Sequence, residues 1–167
     1  MSLGTNLEAD ILSALNNSEN ANDFASGMAS AINNYLSGAV YGTGALTYNS
    51  SVAAAGFILE TSGTASAAAT QIANHIQSYW GGVVAGVPAT PTTLDVVVSG
   101  NIQAATVAAQ LQPKIYSIFN DKGGSRSEVA KSLSDEISET TKAIIVDWVE
   151  FATGPPPVTL PLVGSIT

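Results

Sequence analysis

Residues 64–82 read TASAAATQIANHIQSYWGG, and this stretch predicts the clearest helix of the chain. Ile72, Ile76 and Trp80 recur at intervals of four residues, which places them on one face of an α-helix. Gly63 precedes the run, and Gly81-Gly82 follows it as a stop. We therefore predict a helix from about Thr64 to Trp80.

Similar apolar stripes predict further helices along the chain. A proline, Pro113, is expected to kink or split one of them, because it removes a backbone hydrogen bond and clashes with the preceding turn. Gly27 within another is expected to be tolerated or to allow close contact between helices. The predicted ranges are Thr5 or Asn6 to about Asn17, Ala21 to Ser37, Ser99 or Asn101 to Asn120, and Ser125 or Ser127 to Phe151, with a short additional helix possible at 51–60.

The segments between these helices favour turns and short extended structure. Residues 42–49 predict a loop with a short extended piece, and 83–99 predict a short strand or an irregular connector, since they combine prolines with β-branched residues. Gly154-Pro155-Pro156-Pro157 ends the last helix. The fold prediction is mainly α, a bundle of about five helices with short β segments, comprising a helical domain over 1–153 and an extended proline-rich tail over 154–167.

A weak internal repeat joins three of the predicted helix ends. Tyr35-Leu36 is followed by Ser-Gly-Ala-Val, Tyr79-Trp80 is followed by Gly-Gly-Val-Val, and a third helix is expected to end near Trp148-Val149. Two interpretations stay open. Either any amphipathic helix with an aromatic end looks like this, or the chain contains a repeated helix-plus-strand unit.

The charge content is low and unevenly distributed. Charged residues make up 11% of the chain, against about 25% in an average soluble domain. The net charge is −8, and the first basic residue is Lys114. Because nucleic acids and anionic lipids attract clustered Lys and Arg, we expect no direct nucleic-acid partner and no membrane partner. The N-terminus has no basic and apolar stretch of the kind that forms a secretory signal, and no apolar run is long enough for a transmembrane helix.

Residues with which active sites are usually built are scarce. The chain has no cysteine and one histidine, His75, which we expect at a helix surface or an interface. Asp135, Glu136 and Glu139 share a helical turn, but Lys131 lies four residues before Asp135, so a solvated, salt-bridged face is the expected arrangement. We therefore predict no catalytic residues, no metal, no cofactor and no enzymatic activity.

Aromatic residues and the proline run are the candidates for contact with a partner. Trp and Tyr are enriched where interfaces gain most of their binding energy, and core packing competes with this role for at least one residue of each aromatic group. The candidate interface residues are Tyr79, Trp80, Trp148, Phe151, Pro155, Pro156 and Pro157.

The Ala/Gly/Ser/Thr-rich composition, the lack of cysteine and the tail from Gly154-Pro155-Pro156-Pro157 to Gly164-Ser165-Ile166-Thr167 resemble small virion structural proteins of tailed bacteriophages. The resemblance extends over the whole chain without a diagnostic motif. It implies a homo-oligomeric ring at the neck, where head and tail connect, with other virion proteins as partners and the virion as location.

Two alternatives remain. One is a capsid decoration or baseplate subunit. The other is a secreted helical effector, because Trp80-Gly81-Gly82 satisfies the Trp-x-Gly motif of type VII secretion substrates.

Overall fold

The computed structural model describes residues 6–41, 44–48, 63–88, 96–121, 123–151 and 159–166. This part of the chain is mainly helical and contains five helices, which confirms the predicted fold class. The helices are α1 (Leu7–Asn17), α2 (Ala21–Leu36), α3 (Ala65–Gly81), α4 (Val107–Asn120) and α5 (Arg126–Lys142). The helix considered at 51–60 lies outside the described residues.

Side-chain caps define where three of these helices begin. The Asn20 side chain accepts hydrogen bonds from the backbone N–H groups of Asn22 and Asp23 at the start of α2. Thr64 accepts one from Ala67 at the start of α3. Ser125 and Glu128 form a capping box at the start of α5, in which each side chain bonds to the other residue's backbone N–H.

The helices form a closed bundle. Each of α1, α2, α3 and α4 contacts the next helix along the chain, and α5 returns to contact α1. At one crossing the backbones of α1 and α2 come very close, since a Cβ atom built on Gly27 would lie 2.8 Å from Cβ of Ala14. Gly27 thus permits the close helix contact that the sequence indicated. The largest fully buried side chains of the bundle are Trp80, Ile11, Met28, Ile32, Leu36, Ile72, Ile76, Leu111, Ile115, Leu133 and Ile137.

Within the described ranges, six strands form one antiparallel sheet in which spatial order follows chain order. The ladder between β4 and β5 pairs Val96 with Phe151 and Gln103 with Ile145, with an irregularity between Val98 and Asn101. The strands are β1 (Val40–Tyr41), β2 (Gly44–Tyr48), β3 (Val83–Pro88), β4 (Val96–Gln103), β5 (Ile145–Phe151) and β6 (Thr159–Ser165).

Two predicted helix boundaries are wrong, and in both cases a strand replaces predicted helix. The last helix ends at Lys142 instead of Phe151, and β5 begins at Ile145. The β-branched run Ile144-Ile145-Val146 favours a strand, although its spacing from Ile137 also fits a helical stripe. The fourth helix begins at Val107 instead of near Ser99, because residues 96–103 pair with β5. The α4 helix runs unbroken through Pro113, so the proline does not split it.

The structure shows a repeated unit of one helix followed by two strands. Within one to three residues of their ends, α2 leads into β1, α3 leads into β3, and α5 leads into β5, and a second strand follows each. The three strand pairs lie side by side in the sheet. Of the two interpretations of the repeat, the structure shows helix-plus-strand units. The third helix, however, ends at Lys142, before Trp148, which the sequence pattern had assigned to the end of that helix.

The bundle and the sheet make few contacts with each other. Among the described elements, the extensive contacts join helix to helix or strand to strand. The hydrophobic core consists of helical residues together with residues beside helix or strand ends, such as Ala39, Ala104, Ile144 and Ile166. The described helices therefore bury their apolar stripes mainly against each other, and Val83 of β3 and Ile102 of β4 pack against the same core.

Candidate interaction surface

Tyr79 and Trp80, two of the predicted interface residues, lie in the core of the bundle. They are 4% and 2% exposed, and their rings meet edge to face with centroids 5.3 Å apart. Trp80 Nε1 is buried with no hydrogen-bond partner. A partner could contact either ring only if the core opened. Core packing, the role that we set against interface contact in the sequence analysis, therefore accounts for both residues.

The Trp-x-Gly motif lies at the junction of α3 and β3. Gly81 is the last residue of α3, Gly82 is its C-cap, and β3 begins at Val83. A helical hairpin at this motif needs a second helix after the turn, whereas a strand follows here. This arrangement does not fit the effector alternative.

The other predicted interface residues belong to the C-terminal third. Trp148 and Phe151 lie on β5, where their ladder partners on β6 are Leu162 and Thr159. Pro155, Pro156 and Pro157 lie outside the described residues. The segment after them forms β6 on the same chain, and Ile166 at its end is 1% exposed within the core.

His75 lies on α3, contacts Asn33 of α2 and is 9% exposed, so the helix-surface position, one of the two that we expected, is wrong. Its Nε2 atom is 3.1 Å from Oδ1 of Asn33, and the ring donates to this oxygen when the proton is on Nε2. Burial lowers the pKa of His75 below its usual value, because the charged ring would lose its hydration. The sequence did not distinguish this position from a surface one, since a histidine suits both.

Two acidic residues of α5 form ion pairs on the surface, and the pair of Asp135 with Lys131 is the expected one. Lys131 Nζ is 2.7 Å from the Asp135 carboxylate, and Lys114 of α4 pairs with Glu136. In the described part of the chain, no three His, Cys, Asp or Glu side chains gather as metal ligands would. Pairing with lysines accounts for the arrangement of Asp135 and Glu136.

A hollow of about 320 Å³ opens where the first turns of α2 and α3 meet the end of α4. Phe24, Phe119 and alanines of α3 line it, and among the described residues of its lining the only polar side chain, Thr64, already caps α3. Small-molecule sites combine an apolar lining with a few polar groups that orient the ligand. The described lining does not provide such a set of groups, so we do not assign it a ligand.

The sheet is the part of the molecule whose sequence most strongly indicates contact with another protein. Neighbouring residues of a strand belong to opposite faces of the sheet. In β5, positions 145, 147, 149 and 151 belong to one face of the sheet, and positions 146, 148 and 150 belong to the other. Both sets of positions contain large apolar residue types. The runs Val96–Val98 in β4 and Leu160–Val163 in β6 likewise contribute apolar residues to both sets. Strands with apolar residues on both faces are typical of sheets that are covered on both sides.

The described helices make no extensive contact with the sheet, and among the described strand residues Val83 and Ile102 pack against the core of the bundle. The sheet is therefore the candidate interaction surface. Sequence analysis missed it because it predicted β5 and most of β4 as helix. The signal that indicates the sheet is the density of β-branched residues at 83–84, 96–98 and 144–146.

No helix in the described ranges combines the length and the hydropathy that crossing a bilayer requires. Comparison of the chain with protein-family models, with curated proteins and with solved structures found no match.

Proposed function

We propose that this protein is a structural subunit that assembles with copies of itself, and specifically a virion protein of a tailed phage that forms a ring at the neck. The observation that carries the assembly proposal is the six-stranded sheet, which has apolar residue types on both faces and little contact with the described helices. Sheets whose strands carry apolar residues on both faces are typically covered on both sides, and a second subunit supplies such cover in an assembly.

The charge distribution supports the same proposal. With 11% charged residues, the chain has few groups that keep a large surface solvated as a monomer. Burying part of that surface between subunits reduces the need for such groups. The net charge of −8 keeps free subunits mutually repulsive at low ionic strength, so assembly is expected to strengthen as salt screens the repulsion.

The neck location comes from the resemblance of the chain to small phage virion proteins, and it is the finer part of the proposal. A capsid decoration or baseplate subunit satisfies the same physical argument, because both also assemble. The location therefore needs its own experiment.

Native mass spectrometry of the purified protein at several salt concentrations tests the assembly. A closed oligomer of one defined copy number is the expected result. A chain that stays monomeric at all concentrations contradicts the proposal. Antibody labelling of intact particles in electron micrographs then tests the location, and label at capsid vertices or at the tail base would replace the neck assignment.

A further inference from the structure

The sheet ends in two strands with an open edge among the described residues. At one end, β6 pairs with β5 alone over seven residues. At the other, β1 pairs with β2 only through Val40↔Ala45 and Tyr41↔Gly44, so residues 46–48 of β2 extend beyond it. Unpaired backbone N–H and C=O groups on such edges are templates for pairing with another strand.

The direction of the strands makes the two edges compatible. All neighbours in the sheet are antiparallel, and the number of strands in the described ranges is even, so β1 and β6 run in opposite directions. If β6 of one copy lies beside β1 of the next, with both sheets facing the same way, the new pair is also antiparallel. An odd number of strands would have made this pair parallel.

The chain already uses this type of contact twice within itself. The strand pairs of the three helix-plus-strand units join through β2–β3 and through β4–β5. In each contact the second strand of one unit pairs with the first strand of the following unit. Pairing of β6 with β1 of a second copy continues the same series across the boundary between molecules.

The residue types of the two edge strands allow such pairing. Natural proteins protect open edges with charged residues, above all lysine. Neither β1, β2 nor β6 contains a charged residue, whereas β5, an interior strand, carries Asp147 and Glu150. Pro161 in β6 removes one backbone donor and is the only such protective residue on that strand. One missing donor leaves the other groups of the strand available.

We infer that the sheets of successive copies join head to tail, with the β6 edge of one copy paired antiparallel to the β1 edge of the next. This inference rests on the proposed self-assembly and specifies its surface. A head-to-tail contact repeated by rotation closes into a ring, and one that does not close gives a filament.

Cysteine cross-linking tests the contact cleanly, because the chain has no cysteine of its own. Val40→Cys on β1 is combined in turn with Leu160→Cys, Leu162→Cys or Val163→Cys on β6. The two edges of one sheet are separated by five strand spacings, or about 24 Å, so a disulfide within one copy is excluded. Each single variant and the pair Val40→Cys with Ser132→Cys, an exposed position on α5, serve as controls. Circular dichroism verifies that every variant retains the wild-type fold.

At least one double variant is expected to give a reducible ladder of dimers, trimers and larger species on mild oxidation, while the controls stay uncross-linked. Dimers from a single β6 variant would show a two-fold β6–β6 contact and overturn the inference. Native oligomers without cross-linking in any of the three double variants would overturn this contact while leaving self-assembly intact. A monomer by native mass spectrometry would overturn both.

Discussion

The hydroxyl of Tyr35, on α2, donates a hydrogen bond of 2.9 Å to Oγ of Ser138, on α5. The ring is 5% exposed, and burial raises the pKa of the Tyr35 hydroxyl, while the hydrogen bond to Ser138 acts in the opposite direction. The bond joins two helices that are not neighbours in the closed order of the bundle. It therefore fixes the position of α2 against α5 across the core.

Replacing Tyr35 by Phe removes this bond and keeps the ring. We expect the free energy of unfolding to fall by about 1 kcal/mol, the usual net value of such a bond, since half-buried Ser138 is left without its donor. Urea denaturation followed by circular dichroism measures the change. Tyr116→Phe is the matched control, because Tyr116 is 42% exposed on α4 and should change stability very little. Equal effects of the two substitutions would contradict a role for the bond.

The crossing of α1 and α2 gives a second prediction. In Gly27→Ala, the new methyl group would meet Ala14 Cβ at 2.8 Å, so the helices have to separate. Overpacking of this kind costs about 1–3 kcal/mol, which outweighs the gain of about 1 kcal/mol in helix propensity. We therefore expect a net loss of stability in chemical denaturation.

Gly81→Ala is the control for this prediction. Gly81 is the last residue of α3, and nothing lies within 4 Å of a Cβ built on it. This substitution should leave stability unchanged or increase it slightly. A Gly27→Ala variant as stable as Gly81→Ala would show that the helices adjust without cost.

Much of the bundle could be predicted from sequence, because its signals are local. The starts of α2, α3 and α5 lie within one residue of prediction, since Asn20, Thr64 and Ser125 cap them and apolar stripes follow at once. Asp135 was likewise expected to pair with Lys131, four residues earlier.

The sheet could not be predicted in the same way. Its ladders join residues far apart in the chain, such as Val96 and Phe151, and no local signal specifies such pairs. The segment at Ile144–Trp148 satisfies helical spacing as well as strand propensity, so only the pairing of β5 with its two neighbours decides between them. The burial of Tyr79 and Trp80 is also a tertiary property, because an aromatic residue at a helix end suits a core and an interface equally.

The pH dependence of stability should reveal the buried histidine. Burial lowers the pKa of His75 in the folded chain, so the unfolded chain binds its proton first as the pH falls below about 6.5. Unfolding thereby becomes more favourable, and stability is lost between the unfolded pKa and the lower folded pKa. Since His75 is the only histidine, no other side chain of this type contributes there.

His75→Gln tests this prediction, because glutamine does not titrate and its amide is still able to donate to Asn33. The free energy of unfolding, measured by denaturant titration at steps from pH 7 to pH 5, should fall in the wild-type protein and stay nearly flat in the variant. The same slope in both proteins would assign the pH dependence to the carboxylates.

A buried hydroxyl near the end of α5 gives the last prediction. Thr141 is fully buried at 0% exposure, and its Oγ1 atom has no hydrogen-bond partner among the residues that the structure describes. Such a group has given up its bonds to water without replacement, at a cost of about 1–3 kcal/mol. Thr141→Val exchanges the hydroxyl for a methyl group of nearly the same shape, and the two residues have similar helix propensity. We expect the variant to be more stable than the wild type by about 1 kcal/mol, which a thermal or urea denaturation curve measures directly.

Thr140→Val, at the neighbouring position with 5% exposure, is the control, since its hydroxyl is not among the buried groups without a partner. If Thr141→Val were the less stable of the two variants, the hydroxyl of Thr141 would have to be bonded in solution, and the packing of α5 beside β5 would need to differ from the one described.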